Sequence, residues 1–240
     1  MDRRCGTEGS MRAEILDHIP VRLPQEDLLR RLRVRQGSPQ ESELLAMIRE
    51  AESIGRPRAL CGVAYIEDRG PDYVVVDGVR FSSRVLAANL EGTHRLFPYL
   101  ATCGQELEEW AHGLDDMLHR YWSEAIREAA MRNAMAAVEE HLHTTYRPGR
   151  TSRMNPGSIS DWPIEEQGRL FQLLGDTESA IGVRLTESFL MVPTKTVSGI
   201  RFSTESDFES CMLCPRPSCP NRRAPQDPTM LEARYGQGRA

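Results

Sequence analysis

The sequence predicts an α+β fold, an antiparallel sheet packed with long helices, and three observations lead there. At Ala59 the apolar period changes from helical to extended, and Asp77-Gly78 then separates two short strand-like runs in the manner of a hairpin turn. A helical pattern rich in small residues extends from Asp115 to about His143. Beyond Phe208 prolines and cysteines take over and regular structure is not expected. The chain therefore divides into an α+β body, residues 1–208, and a Cys/Pro-rich tail, residues 209–240, with a metal-binding pattern.

Each element has a local reason. Arg30, Arg31, Arg33 and Arg35 form a short basic stretch, read as a solvated helix end rather than a phosphate track. Ser38-Pro39-Gln40-Glu41 opens a helix, with Ser as N-cap, Pro at the first position and Glu placed to close a capping box. Leu44, Leu45, Ile48, Ala51 and Ile54 mark its apolar face, Gly55 its stop, and a sheet its expected partner. Strands follow at Ala59–Ile66, Tyr73–Asp77, Val79–Phe81 and Arg95–Thr102, and a helix at Glu106–His112. In the long pattern Trp122, Ile126, Ala129, Ala130, Ala134, Ala137, Val138 and Leu142 recur at helical spacing, so this is the expected core helix. His141 and His143 end it where positive charge suits the helix dipole, and two-residue spacing puts them on different faces. Residues 146–157 read as irregular. Asp161-Trp162-Pro163 opens a helix that buries Leu170, Phe171 and Leu174 and ends at Gly175, and Val183–Met191 and Thr196–Phe202 complete the strands.

Composition narrows the function. Thirty basic against thirty-five acidic residues give a formal charge of −5, which argues against a nucleic-acid partner. No apolar run approaches the ~18–20 residues that span a bilayer, and Met1–Arg12 has no signal-like apolar stretch. A cytoplasmic protein without a membrane partner is expected.

Of six cysteines, Cys5, Cys61 and Cys103 are scattered, whereas Cys211, Cys214 and Cys219 are clustered. In a cytosolic chain that spacing points first to a metal, an iron–sulfur cluster or zinc, held by thiolates on a proline-bent loop. Arg216, Arg222 and Arg223 would balance the thiolate charge. Three ligands leave one position open; Cys103 is the first candidate for it and Cys61 the second. A reduced cluster that packs the tail and a redox disulfide are the alternatives. An ordered tail requires either a metal or docking onto the body to offset its chain entropy, and its last residues, from Tyr235 to Ala240, are expected to fray.

Two blocks carry a resemblance. Arg153-Met-Asn-Pro156-Gly157 resembles the Arg-Pro-x-Pro-Gly loop of the activation domain of cobalamin-dependent methionine synthase. Leu185-Thr186-Glu187-Ser188-Phe189, then Met191, Pro193 and Val197-Ser198-Gly199, resembles the same family's Leu-Thr-Glu-Ser…Met-x-Pro…Val-Ser-Gly run. That domain binds S-adenosylmethionine and presents its methyl group to a corrinoid, restoring methylcobalamin after oxidation to cob(II)alamin by coupling methyl transfer to a one-electron reduction. The resemblance implies a ligand set of Arg153, Pro156, Gly157, Ser158, Glu187, Ser198, Gly199 and Arg201. In it Arg153 would hold the ligand carboxylate, as suits a planar, permanently charged fork, and Pro156 and Gly157 would shape the loop. Ser158 stands where the family has tyrosine, and Ile200-Arg201 where it has Trp-Tyr, so the aromatic wall is thinned.

The chain lacks the Asp-x-His-x-x-Gly signature that ligates corrinoid cobalt. The expectation is thus a separate activation protein working in trans on a corrinoid protein or cobalamin-dependent methyltransferase. Its cofactors would be S-adenosylmethionine, cobalamin on the partner, and an iron–sulfur cluster or zinc, with an electron-donor protein alongside. The alternative is a non-catalytic docking or corrinoid-handling module with structural zinc. A stand-alone methyltransferase subunit ranks below both, since no activated nucleophile or carboxylate pair is visible.

Overall fold

The computed structural model describes residues 11–206, 208–216, 218–219, 222–227, 229–230 and 235. Cys5, Pro217, Pro220, Pro228 and residues 236–240 lie outside them. In chain order the elements are β1 (Arg12–Leu16), α1 (Gln25–Arg31), α2 (Pro39–Ile54), β2 (Arg58–Arg69), β3 (Tyr73–Val76), β4 (Val79–Ser82), α3 (Arg84–Asn89), β5 (Arg95–Thr102), α4 (Gln105–His112) and α5 (Met117–Tyr146). There follow β6 (Thr151–Met154), a 3-10 turn (Ile164–Glu166), α6 (Gln167–Leu174), α7 (Thr177–Ile181), β7 (Arg184–Leu185), β8 (Met191–Val192), β9 (Thr196–Ser203) and a second 3-10 turn, Ser210–Met212.

Seven strands make one antiparallel sheet in the order β4-β3-β2-β5-β9-β6, with β1 also on β2. Alternation along the central strands supplies two cores. Leu60, Ala64, Leu96, Leu100, Ile200 and Phe202 face α3 and α6, whereas Ala59, Cys61, Phe97, Tyr99 and Ala101 face Ala134, Val138 and Leu142 of α5. Burial on both faces explains why β5 reads as almost continuously apolar. Alanines on α5 let it lie close to the strands, while its Asp116 carboxylate accepts the His119 N–H at 2.9 Å as N-cap. The hairpin turn is as expected, with both Asp77 (φ 42°) and Gly78 (φ 76°) left-handed.

Several expectations need correction. Helix α2 packs on α1, α4 and the first half of α5 rather than on the sheet, and Met47 joins Leu44, Ile48 and Ala51 in the buried face. The capping box is displaced by one residue: Glu41 accepts from the Gly37 N–H at 2.6 Å, and the Ser38 hydroxyl donates back to Arg35. Val183–Met191 is not a strand. The polar Thr186-Glu187-Ser188 run forms a turn between β7 and β8, in which the Thr186 hydroxyl accepts the Leu190 N–H at 3.0 Å and Phe189 is left-handed at φ 61°. Strand β6 arises within residues expected to be irregular, α1 ends at Arg30 and Arg31 where a helix end is expected, and β1, α3 and α7 are additional.

The described part of the tail docks on the body. Phe208 is 2% exposed and Tyr235, expected to fray, 6% exposed; their rings meet edge to face in the main core. The Ser152 hydroxyl of β6 donates to the Phe208 carbonyl at 2.6 Å, and Asn89 donates to the Tyr235 hydroxyl at 2.9 Å. Among the described residues no helix is long and apolar enough to cross a membrane.

Candidate functional site

Strand β6 ends at Met154, and the chain then turns sharply. Asn155 anchors the turn, its side-chain amide donating to the Ser198 carbonyl and to the Tyr99 hydroxyl. Gly157 follows at φ 77°, and its N–H donates to the Trp162 carbonyl at 2.8 Å. A Cβ there would stand 2.8 Å from Ile164 Cδ1, so the loop needs glycine for both its backbone angle and its close approach. The effect is to hold the loop open against one wall of a cavity of about 1340 Å³.

That cavity has three walls. Helix α5 contributes Met131, Arg132 and Met135; the β6 loop contributes Arg153, Asn155, Gly157 and Ser158, with Val197 of β9 beside them; the tail contributes Cys211, Cys214, Arg216, Cys219, Arg222 and Arg223. Glu165 is the one carboxylate among its described lining residues, so guanidinium groups set its charge.

Arg153 is the side chain the loop and the strand jointly position. It pairs with Glu139 of α5 at 3.8 Å and is half-buried. Burial draws its guanidinium below the ordinary arginine value; Tyr99 and Glu139 oppose that draw, and the nearby Arg223 and Arg201 add to it. Across the ladder it sits directly opposite Arg201, whose guanidinium also bonds Glu139 and donates to Thr151 Oγ1 at 3.2 Å. One carboxylate on α5 thus serves two cross-strand arginines, which would otherwise repel.

Of the ligand set expected from sequence, the structure brings Arg153, Gly157 and Ser158 to the cavity. Pro156 is buried behind them at the turn. The others lie elsewhere, each for a physical reason. Strand alternation turns Ser198 to the opposite face of β9, where its hydroxyl meets Gln167 at 2.8 Å. Gly199 has a packing role: a Cβ there would meet Asn155 Nδ2 at 2.5 Å and the Met154 carbonyl at 2.6 Å, so its absence lets β6 and the Asn155 amide close on β9. Arg201 is buried and spent in its ion pair with Glu139, and Glu187 is exposed on the β7–β8 turn. Neither lines the cavity.

Cys211, Cys214 and Cys219 do share the cavity wall. Among the described residues no three His, Cys, Asp or Glu side chains group closely enough to hold a metal ion. Cys103, expected as fourth ligand, is fully buried between α2, α4 and α5, does not line the cavity, and has its thiol pushed up to about 12 by burial, with Glu108 adding to the rise. Cys61 is likewise buried and raised to about 12. His141 pairs instead with Glu14 at 3.0 Å.

Sequence reasoning missed Asn155 and the apolar cavity residues Met131, Met135, Ile159 and Ile164. Asn155 had a signal, its place between a strand end and Pro-Gly; the methionines had none beyond helical spacing.

Residues 100–210 match the family described as vitamin B12 dependent methionine synthase, activation domain. A crystal structure of the MetH reactivation domain bound to AdoHcy superposes with a TM-score of 0.58 at 17% identity, covering 83% of this chain and 81% of that one. No curated protein matches the chain in sequence. The fold is therefore that of the reactivation domain, and the segment holding α5, β6, β9 and the glycine loop resembles the activation domain of B12-dependent methionine synthase.

Proposed function

We propose that this protein binds S-adenosylmethionine in the Arg153–Gly157 cavity and acts in trans in the reductive activation of a corrinoid methyltransferase. What carries the reading is Arg153: a guanidinium half-buried in the wall of a large cavity, beside a loop that only glycine can shape. A charged fork in that setting suits the carboxylate of an amino-acid ligand. Glu165 offers a carboxylate to its ammonium group, and Met131, Met135, Val197 and Ile159 give apolar surface for a nucleoside ring. The AdoHcy held by the structurally similar reactivation domain supports a ligand of this class.

The corrinoid supplies the cobalt chemistry and belongs to the partner, either a corrinoid protein or a cobalamin-dependent methyltransferase. This chain's part is to bind the sulfonium ligand, orient it and exclude water. The electron comes from a separate donor protein, and no step is assigned to a metal on the tail.

Titration calorimetry of the full chain with S-adenosylmethionine tests the binding. Loss of a charge-assisted contact of ~1.5–3 kcal/mol predicts that Arg153→Ala weakens affinity by roughly 10- to 150-fold. Wild-type protein that binds neither S-adenosylmethionine nor its thioether product would leave only a docking module. An anaerobic assay of cob(II) to methylcobalt conversion, with and without the chain, tests the activation.

A further inference from the structure

Cys211, Cys214 and Cys219 share one wall of the cavity. Residues 209–214 wind as a 3-10 turn: the N–H groups of Met212, Leu213 and Cys214 donate to the carbonyls of Glu209, Ser210 and Cys211 at 2.8, 3.2 and 3.3 Å. In such a turn residues three apart eclipse, and a rise of ~2.0 Å per residue puts their Cα atoms roughly 6 Å apart. That lies inside the ~4.4–6.8 Å range a disulfide spans. Arg222 fixes the turn, its guanidinium donating to the carbonyls of Cys211 at 2.8 Å, Ala224 at 3.2 Å and Cys214 at 3.1 Å, and to that of Arg216. Both thiols are half-buried and line the cavity.

We infer that Cys211 and Cys214 are a reactive dithiol pair, with Cys211 as the attacking thiolate, open through the cavity to small-molecule disulfides. The environment distinguishes the two sulfurs. The Arg223 N–H points at Cys211 Sγ at 3.5 Å. The Arg223 guanidinium, within reach of Ser210 Oγ at 3.5 Å, places a positive charge beside the same turn, which favours a thiolate there. The Cys211 thiolate attacks one sulfur of the small disulfide, forming a mixed disulfide and expelling one thiolate. The Cys214 thiolate then attacks Cys211 Sγ, forming the Cys211–Cys214 bond and expelling the second. The protein dithiol loses two electrons and two protons, and the small disulfide becomes two thiols. This exchange stands whether or not the cavity takes a sulfonium ligand.

The test equilibrates the full chain, without oxygen, in mixtures of reduced and oxidised glutathione, then alkylates and maps the free thiols by mass spectrometry. Wild type is expected to lose two thiols to a Cys211–Cys214 bond, and Cys219→Ser to do the same. Cys214→Ser should stop at a glutathione adduct on Cys211, and Cys211→Ser should react several-fold more slowly than wild type. A disulfide that maps to Cys219, thiols at 211 and 214 that survive oxidising mixtures, or a tightly held metal that shields all three from alkylation would each overturn the assignment.

Discussion

Replacing Glu139 by glutamine tests the electrostatic frame of the cavity most directly. The carboxylate sits on α5 and serves Arg201, whose side chain is 10% exposed, and Arg153, which is 26% exposed. Arg201 Nε already lacks a partner, so this guanidinium depends on Glu139 and Thr151. Removing one member of a fully buried pair costs about 3–5 kcal/mol, whereas an exposed pair contributes about 0–1 kcal/mol. Here the arginines are largely buried but Glu139 is 46% exposed, so solvent screens part of the loss and about 1–2 kcal/mol is expected. For a chain of this length that corresponds to a fall of roughly 2–8 °C in Tm.

Urea denaturation at low salt measures it, and a double mutant separates cause from accident. Adding Arg201→Met to Glu139→Gln removes the charge left without a counterion while keeping an apolar stem in place, and should restore more than half of the lost stability. A stability change below about 0.3 kcal/mol, within ordinary surface-substitution scatter, would refute the shared-carboxylate account. Failure of Arg201→Met to rescue would refute it equally.

Two further predictions concern glycines and thiols. Gly199→Ala should destabilise more than Gly157→Ala, because its Cβ meets a backbone carbonyl of the neighbouring strand at 2.6 Å, a strain of about 1–3 kcal/mol. At Gly157 the closest approach, 2.8 Å, is to the Cδ1 end of the exposed Ile164, with its Cβ at 3.3 Å, and the backbone angle costs ~1–2 kcal/mol; chemical denaturation giving the reverse order would contradict this. For Cys61 and Cys103, each raised to about 12 by burial, the folded state keeps a proton that an unfolded thiol loses near ~8.5. Their contribution is whole below that pH and is lost as pH rises towards 12, at about 1.4 kcal/mol per pH unit for each thiol. Urea midpoints should therefore decline less steeply above pH ~8.5 in Cys103→Ala than in wild type, and parallel declines would refute the burial argument.

Strands β2, β5 and β9 and helix α5 were legible because each has a long periodic pattern that burial then satisfies. The partner of α2 was not legible, since an apolar stripe says that something is covered and not what covers it. Leu185-Thr-Glu-Ser-Phe189 misled in a more instructive way. Its apolar ends suggest a strand, yet the Thr186 hydroxyl, which also meets that of Ser188, bonds the Leu190 N–H locally, and that alternative wins. Motif matching likewise picked Ser198 and Gly199 as ligand contacts, although their positions are explained by the far face of β9 and by the approach of β6. A motif records which residues a fold requires; only the side-chain direction separates those that touch a ligand from those that let the sheet close.

The tail shows how docking can order a proline-rich segment. Prolines deny it regular hydrogen bonding, so its order must come from elsewhere. Burying Phe208 contributes about 1.5–3 kcal/mol, and the Phe208–Tyr235 contact adds about 0.5–1.5 kcal/mol. The Ser152–Phe208, Asn89–Tyr235 and Arg222 hydrogen bonds satisfy polar groups that docking removes from water. Contacts of this kind offset the chain entropy of the segment. Docking also bears on where the cysteines lie: with Phe208 seated beside β6, the turn that follows starts against Arg153, whose carbonyl accepts from the Ser210 hydroxyl at 3.4 Å. The thiols and the guanidinium groups of the tail then form a wall of the cavity.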